Sequence, residues 1–194
     1  MGGYEVEVKI PLVNVKNIET ALLKLGATKT NTETHVDVYF NHPSRNFGET
    51  DEALRIRNRS NIVVYTDSSS NLGSISEITY KGPKVDKTTK TRIEIAFGID
   101  SYESASSLLT YLGFQEAATV TKNRTFFQFG NITLSIDDVE SVGTFLELEQ
   151  IVTSKDLIPA AREAIFALLE DLGLRRKDSI RESYLELILR KKHH

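Results

Sequence analysis

The sequence predicts an α+β protein in which a β-barrel or tunnel with a polar lumen carries helices on its outer surface. Three observations favour this architecture. Stretches with strand-like alternation fill the chain between four helical segments. In the stretch YEVEVKI, the charged residues Glu5, Glu7 and Lys9 alternate with apolar ones, and other stretches repeat this pattern. The helical segments carry apolar stripes, which need an apolar surface to cover.

The first two helices are predicted from their end signals. Asn14 is the expected N-cap of the first helix, and Gly26 is the expected residue just after its last turn. The second helix is expected to follow a capping box formed by Asp100 and Glu103. Its apolar residues include Leu108, Leu109 and Leu112.

The last two helices are predicted in the same way. One begins near Pro159, which suits a first helical turn, and ends at Gly173. The other is expected to begin at a capping box formed by Ser179 and Glu182.

Nine stretches are strand candidates, most of them bounded by Gly, Asn, Ser or Pro. They are YEVEVKI, THVDVYF, EALRIRN, NIVVYT, SISEITYK, TKTRIEIAF, VTKNRTFFQF, NITLSIDDV and TFLELEQI. The segment TDSSSNLGS is predicted to be a hairpin tip.

Composition restricts the class of protein. The chain has 194 residues, 40% hydrophobic and 26% charged, with a net charge of −3 and no cysteine. These values predict one globular domain over residues 1–192, argue against a strongly basic nucleic-acid binder and exclude thiolate metal sites. No apolar run approaches the roughly 20 residues needed to cross a membrane, so a cytoplasmic protein is expected. His193 and His194 are treated as a production remnant.

Like charges recur two residues apart within single strands. The pairs are Glu5 and Glu7, Arg55 and Arg57, Lys122 and Arg124, and Glu147 and Glu149. Such neighbours repel one another unless opposite charge lies between them. If the apolar strand faces bind the helices, these charges face inward, where they require water and counter-charges. The lumen is therefore expected to hold an anion and metal ions.

The residue types indicate which ions these are. Clustered carboxylates without cysteine or converging histidine favour Mg²⁺ or Mn²⁺. Clustered arginine and lysine favour phosphate, which arginine binds bidentately. Together they suit a metal-bridged polyphosphate.

Seven ordered elements over roughly 150 residues carry a family resemblance. They are Glu5-x-Glu7-x-Lys9, His35-x-Asp37-x-Tyr39-Phe40, Leu54-Arg55-Ile56-Arg57, Thr79-Tyr80-Lys81-Gly82-Pro83, Arg92-x-Glu94, Lys122-x-Arg124, and Asp137 followed by Glu147-x-Glu149. The chain resembles the CYTH superfamily, or triphosphate tunnel metalloenzymes. That group includes class IV adenylate cyclases, thiamine triphosphatases and inorganic triphosphatases.

The resemblance implies an eight-stranded antiparallel tunnel that holds a triphosphate and one or two divalent cations. It implies these metal ligands: Glu5, Glu7, Asp137, Glu147 and Glu149. It implies these triphosphate-binding residues: Lys9, Arg55, Arg57, Lys81, Arg92, Lys122 and Arg124. Tyr39 and Lys81 correspond to a proton-transfer pair, and Glu94 is assigned to either the metal or the water.

Two positions depart from the simplest pattern. Family members often continue Arg-x-Glu with a second glutamate, but here that place is Ala96, which leaves the second metal site open to question. His35 is expected to be a packed or hydrogen-bonded strand residue rather than a ligand.

Three functions are therefore compatible with the sequence. The first is a metal-dependent triphosphatase acting on tripolyphosphate, ATP or thiamine triphosphate, and the second is a class IV-type adenylate cyclase. The third is a non-catalytic polyphosphate- or nucleotide-binding module, which Ala96 would favour. The expected partner is a small triphosphate, and binding to nucleic acid or to a membrane is not expected. A homodimer is compatible with the sequence.

Overall fold

A computed structural model describes residues 3–65, 74–85, 89 and 91–192. The strands of this part of the chain are β1 (Gly3–Pro11), β2 (Thr28–Asn41), β3 (Ala53–Val64), β4 (Ile75–Lys81), β5 (Arg92–Ile99), β6 (Gln115–Phe129), β7 (Ile132–Val139) and β8 (Gly143–Val152). The helices are α1 (Val15–Lys24), α2 (Phe47–Thr50), α3 (Tyr102–Tyr111), α4 (Ile158–Asp171) and α5 (Tyr184–Lys192). Short 3₁₀ turns occur at Lys155–Leu157 and Arg176–Asp178.

The eight strands close into a barrel in the order β1-β5-β4-β3-β2-β6-β7-β8. Every neighbouring pair is antiparallel. The predicted barrel with outer helices is therefore confirmed. No helix in the described part of the chain is long and apolar enough to cross a lipid bilayer.

The nine strand candidates become eight because EALRIRN and NIVVYT are the two halves of β3. The polar stretch between them reads as a turn, but β2 runs alongside both halves and supplies their hydrogen-bond partners from Leu54 to Val64. A bulge between Thr32 and Thr34 absorbs the irregularity. Most of the predicted hairpin tip TDSSSNLGS lies outside the described residues.

The hydrophobic core lies outside the barrel, between its wall and the helices. Val6, Val8 and Ile10 of β1 are at most 2% exposed and pack in one cluster with Leu22 of α1 and Leu169 of α4. Full burial of such side chains stabilises the fold by about 1.5–3 kcal/mol each. Because successive strand residues point to opposite faces, this core directs the charged residues of β1 into the lumen.

Helix α3 begins one residue later than predicted. Its N-cap is Ser101 rather than Asp100, and the Ser101 hydroxyl oxygen accepts a hydrogen bond from the Ser104 backbone N–H at 3.1 Å. Leu109 is buried against β2 and β3, but Leu108 and Leu112 are each 60% exposed. Only one row of this helix therefore contacts the barrel.

The predicted capping box at Ser179 and Glu182 is wrong. The Ile180 backbone N–H donates to the Lys9 carbonyl oxygen at 2.8 Å, which holds this segment extended across the end of β1. The capping box forms four residues later, where the Glu186 N–H donates to the Ser183 hydroxyl oxygen at 3.1 Å and the Ser183 N–H donates to Glu186. Both pairs have the same spacing, and a tertiary contact selects the second.

This difference gives a first testable prediction. Ser183→Ala removes the cap of α5 and is expected to lower the free energy of unfolding by about 0.5–2 kcal/mol. Ser179→Ala removes only the hydrogen bond that the Ser179 hydroxyl donates to the Arg176 carbonyl oxygen at the end of a short 3₁₀ turn, and it is expected to cost less. Urea unfolding of both variants measures the difference, and a larger loss in Ser179→Ala would restore the original assignment.

Candidate active site in the barrel lumen

A cavity of about 360 Å³ runs inside the barrel and is lined by both acidic and basic side chains. We call the carboxylates of β1, β8 and β5 the acidic wall: Glu5, Glu7, Glu147, Glu149 and Glu94. We call four cations of β3 and β6 the basic wall: Arg55, Arg57, Lys122 and Arg124. The structure therefore brings most of the predicted site residues around one space.

The acidic wall concentrates negative charge. Glu7 and Glu149 lie directly opposite each other in the β1–β8 ladder. Burial, followed by the charges of Glu5 and Glu7, raises the pKa of Glu149 to about 7. Burial also raises the pKa of Glu5, although Lys81 opposes it. An additional cation beside these three carboxylates would therefore be stabilised.

Lys81 joins two carboxylates of the acidic wall. Its Nζ lies 2.7 Å from Glu5 Oε2 and 2.6 Å from Glu94 Oε2. Burial alone would lower the pKa of Lys81, but Glu5 and Glu94 hold it above its usual value. Burial would likewise raise the pKa of Glu94, but Lys81 brings it down to about 2. Lys81 is therefore a charged lysine at the boundary of the acidic wall.

Two buried aspartates hold the arginines of the basic wall in place. Arg57 donates to both oxygens of Asp37 at 2.6 and 2.7 Å, and Arg55 Nη1 lies 3.5 Å from the same carboxylate. Arg124 donates to the two oxygens of Asp137 at 2.6 and 2.5 Å. Neither aspartate lines the cavity. Both act from behind the arginines as their counter-charges.

This arrangement bears on the predicted metal ligands. Asp137 is 0% exposed and contacts Lys122 at 3.1 Å as well as Arg124. Arg124 also donates to Glu147. Of the other predicted ligands, Glu5, Glu7 and Glu149 line the cavity, and Glu5 contacts Lys81 there.

The remaining predicted residues divide by position. Tyr39 lines the cavity and lies directly opposite Arg55 in the β2–β3 ladder. Arg92 also lines the cavity, with its Nη2 3.6 Å from Asp51. Lys9 does not line it, because its Nζ donates to the Glu182 carbonyl oxygen and lies 4.1 Å from the centre of the Tyr184 ring. Lys9 thus anchors the segment before α5.

The cavity has two chemically different ends. The α5 end is lined by Asn46, Phe47, Tyr184, Leu185 and Leu189, and we did not predict these residues as part of a site. The opposite end is lined by His35, Arg59, Glu77, Ala96 and Phe126. Arg59 carried a usable signal, since it continues the alternation of Arg55 and Arg57 along β3. The residues of the α5 end carried no such signal, because segments that are far apart in the sequence form this end.

A polar lumen of this kind, inside a closed barrel with these residues in this order, matches a known family. The family model of the CYTH domain matches residues 3–184. The chain belongs to the CYTH domain family.

Three relatives show how this CYTH chain compares with known proteins. MJ0240 of Methanocaldococcus jannaschii, whose name provisionally assigns it to the adenylate cyclases, is 38% identical over 94% of this chain and 97% of its own length. The protein named adenylate cyclase CyaB of Aeromonas hydrophila is 26% identical over 96% of this chain and 89% of its own length. The solved structure of the PH1819 protein of Pyrococcus horikoshii OT3 has a TM-score of 0.83 and 36% identity, and covers 96% of this chain and 99% of that one.

The acidic wall of this CYTH protein gives a second prediction. Because the folded-state pKa of Glu149 is raised to about 7, its proton stabilises the fold fully below the unfolded-state pKa of about 4.3, and that stabilisation is lost as the pH rises through 7. In the presence of a chelator, the melting temperature is therefore expected to fall between about pH 5 and pH 8.

Thermal unfolding at several pH values measures this effect. Glu149→Gln is expected to flatten the curve, and Mg²⁺ or Mn²⁺ is expected to restore stability at pH 8 in the wild type. A wild-type curve as flat as that of the variant would contradict the assignment.

Proposed function

We propose that this CYTH protein is a divalent-metal-dependent enzyme that acts on a triphosphate group in its barrel and hydrolyses tripolyphosphate or an organic triphosphate. The observation that carries the proposal is the facing of an acidic and a basic wall across one cavity. A polyphosphate bridged by cations matches both walls, because the basic wall neutralises its oxygens directly and the acidic wall does so through metal ions.

The donor set supports a hard divalent cation. Glu5, Glu7 and Glu149 offer carboxylate oxygens, which Mg²⁺ and Mn²⁺ prefer. Among the described residues, no group of three or more His, Cys, Asp or Glu side chains is arranged to hold a metal ion by itself. This fits Mg²⁺, which usually combines one or two protein carboxylates with phosphate oxygens of a substrate. When bound, the ion would neutralise phosphate charge and acidify a coordinated water.

The basic wall supplies the binding and charge stabilisation. Arg55 Nε is buried and has no hydrogen-bond partner among the described residues, so an entering phosphate oxygen would satisfy it. Arg57 and Arg124 are fixed by their aspartates and need not reorganise when charge develops on the transferred phosphoryl group. Lys81 and Tyr39 are the proposed proton-transfer residues, and Glu94 contacts the metal or the water.

The second candidate is a class IV-type adenylate cyclase, in which the ribose 3′-hydroxyl attacks the α-phosphorus and pyrophosphate leaves. The α5 end of the cavity favours an organic group, since Phe47 and Leu189 are apolar and Asn46 offers an amide. The names of MJ0240 and CyaB also point to this activity. A non-catalytic binding module is the third candidate, because Ala96 leaves the acidic wall one carboxylate short of the usual family pattern.

A product assay distinguishes the three. Purified protein is incubated with Mg²⁺ or Mn²⁺ and, separately, tripolyphosphate, ATP and thiamine triphosphate, and orthophosphate, pyrophosphate and cyclic AMP are quantified. The control is Glu5→Gln combined with Glu149→Gln. Orthophosphate release that this variant lacks supports the triphosphatase, and cyclic AMP with pyrophosphate supports the cyclase. If no product forms but tripolyphosphate raises the melting temperature, the protein is a binding module.

A further inference from the structure

His35 and Arg59 face each other at the end of the cavity opposite α5. They are direct partners in the β2–β3 ladder, and both line the cavity. Each has a buried nitrogen without a hydrogen-bond partner among the described residues: Nδ1 of His35 and Nε of Arg59. Buried polar atoms of this kind are rare in folded proteins, so a ligand that satisfies both is expected here.

The other side of the His35 ring is firmly held. Its Nε2 lies 2.7 Å from Glu33 Oε2, and the Asn31 side-chain amide donates to Glu33 Oε1 at 2.6 Å. His35 is 1% exposed and Glu33 is 5% exposed. Because Nε2 must donate its hydrogen to the carboxylate, Nδ1 of the neutral ring is left as a hydrogen-bond acceptor.

The charges around the ring keep it neutral in the absence of an anion. Burial lowers the pKa of His35, and so do Arg57, Arg124 and Lys122, whereas Asp37 opposes them. Glu33 and Arg59 complete the charged surroundings, with Arg59 Nη1 3.9 Å from Glu33 Oε2. This concentration of cations disfavours a metal ion at His35. A polyanion between Arg57, Arg124 and Lys122 would cancel the field and allow the ring to take a proton.

The position of His35 along the barrel indicates which molecule donates the proton to its ring. Arg55, Arg57 and Arg59 follow one another on the same face of β3, so Arg59 lies roughly 13 Å beyond Arg55. A triphosphate whose organic group occupies the α5 end directs its terminal phosphoryl group toward Arg59. The attacking water for in-line displacement then enters from the same end.

We propose that His35 is the general base for hydrolysis of the terminal phosphate, that Glu33 positions it, and that Arg59 binds the terminal phosphoryl group. The inference rests on the proposed triphosphatase activity. The water O–H bond breaks as its proton passes to His35 Nδ1, and the water oxygen bonds to the terminal phosphorus. The bridging P–O bond breaks, and its electron pair leaves on the departing phosphate oxygen. Glu33 stabilises the imidazolium, which then loses the proton to product phosphate or solvent.

The test compares His35→Asn, Glu33→Gln and wild type, with His42→Gln as a matched control outside the cavity. Orthophosphate release from tripolyphosphate with Mg²⁺ is measured across pH, and tripolyphosphate binding is measured by titration calorimetry. We expect His35→Asn to lower kcat about 10²–10⁴-fold and to remove the acidic limb of the kcat profile, with binding changed less than about threefold. Glu33→Gln should lower kcat less and shift that limb to lower pH. Retained binding shows that a slow variant is folded.

Four outcomes would overturn or restrict the inference. Release by His35→Asn within about threefold of wild type overturns it, as does a loss of binding that accounts for the lower rate. Any cyclic AMP formed from ATP should be unaffected, since the ribose hydroxyl attacks at the α-phosphorus, and an equal loss of both products overturns the assignment to the terminal phosphate. Absence of orthophosphate release from wild type overturns the proposed function and this inference with it.

Discussion

Asp37→Asn is expected to lower the free energy of unfolding by about 3–5 kcal/mol. Asp37 is 1% exposed, accepts two hydrogen bonds from Arg57 and lies 3.5 Å from Arg55 Nη1. Replacing its carboxylate with an amide of the same shape leaves two buried guanidinium groups without their counter-charge. For a chain of this size, the melting temperature should fall by roughly 6–20 °C.

The same variant should respond unusually strongly to ligand. Tripolyphosphate supplies the negative charge that the variant lacks, so it is expected to raise the melting temperature of Asp37→Asn by more than that of wild type. Asp138→Asn is the control, since the neighbouring Asp137 points inward but Asp138 is exposed on the outer face of β7. If tripolyphosphate shifts the variant no more than wild type, Asp37 serves mainly to orient the arginines.

Lys81→Met is expected to lower kcat/KM for orthophosphate release from tripolyphosphate by about 10²–10⁴-fold. The ammonium of Lys81 contacts both Glu5 and Glu94 and lies on the cavity wall. Its removal deletes a cation beside the proposed triphosphate path and a candidate proton donor. It also leaves the two carboxylates to repel each other, so the pKa of Glu94 should rise from about 2.

A second substitution separates the two roles of Lys81. Lys81→Arg keeps the positive charge but cannot release a proton near neutral pH. If Lys81 acts by charge, the arginine variant should keep most of the activity, whereas a proton-transfer role predicts a loss close to that of Lys81→Met. Lys16→Met, at an exposed position of α1, is the control for lysine removal. Unchanged kcat/KM in Lys81→Met would exclude Lys81 from the reaction.

The alternation of charges was sufficient to predict the inward face of the barrel. In β1, three apolar residues on one face and three charged residues on the other admit two arrangements, and the apolar helix stripes select the one with charges inside. The walls of the cavity follow directly, because Arg55 and Arg57 on β3 and Glu147 and Glu149 on β8 share a face in any strand. The family resemblance supplied the number of strands and the expected ligand.

Pairing of the inward charges could not be predicted in the same way. Lys9 lies on the same face of β1 as Glu5 and Glu7. However, the segment before α5 crosses the end of β1, and the Lys9 ammonium donates a hydrogen bond to a backbone carbonyl oxygen of that segment. Asp137 shares a motif with metal ligands, but Arg124 and Lys122 approach it from the neighbouring strand. Such contacts depend on strand order and register, and neither can be predicted from the residue pattern of one strand.

Period-two alternation and residue type are local properties of the chain, so they were enough to predict the class of fold, the polar lumen and the chemistry of its two walls. The three-dimensional arrangement of the strands then decided which charges neutralise one another and which face the cavity. It also decided that His35 is held by Glu33 and opposed to Arg59, and that Ser183 rather than Ser179 caps α5. Buried charges interact strongly over a few ångströms, so these roles depend on neighbours distant in sequence.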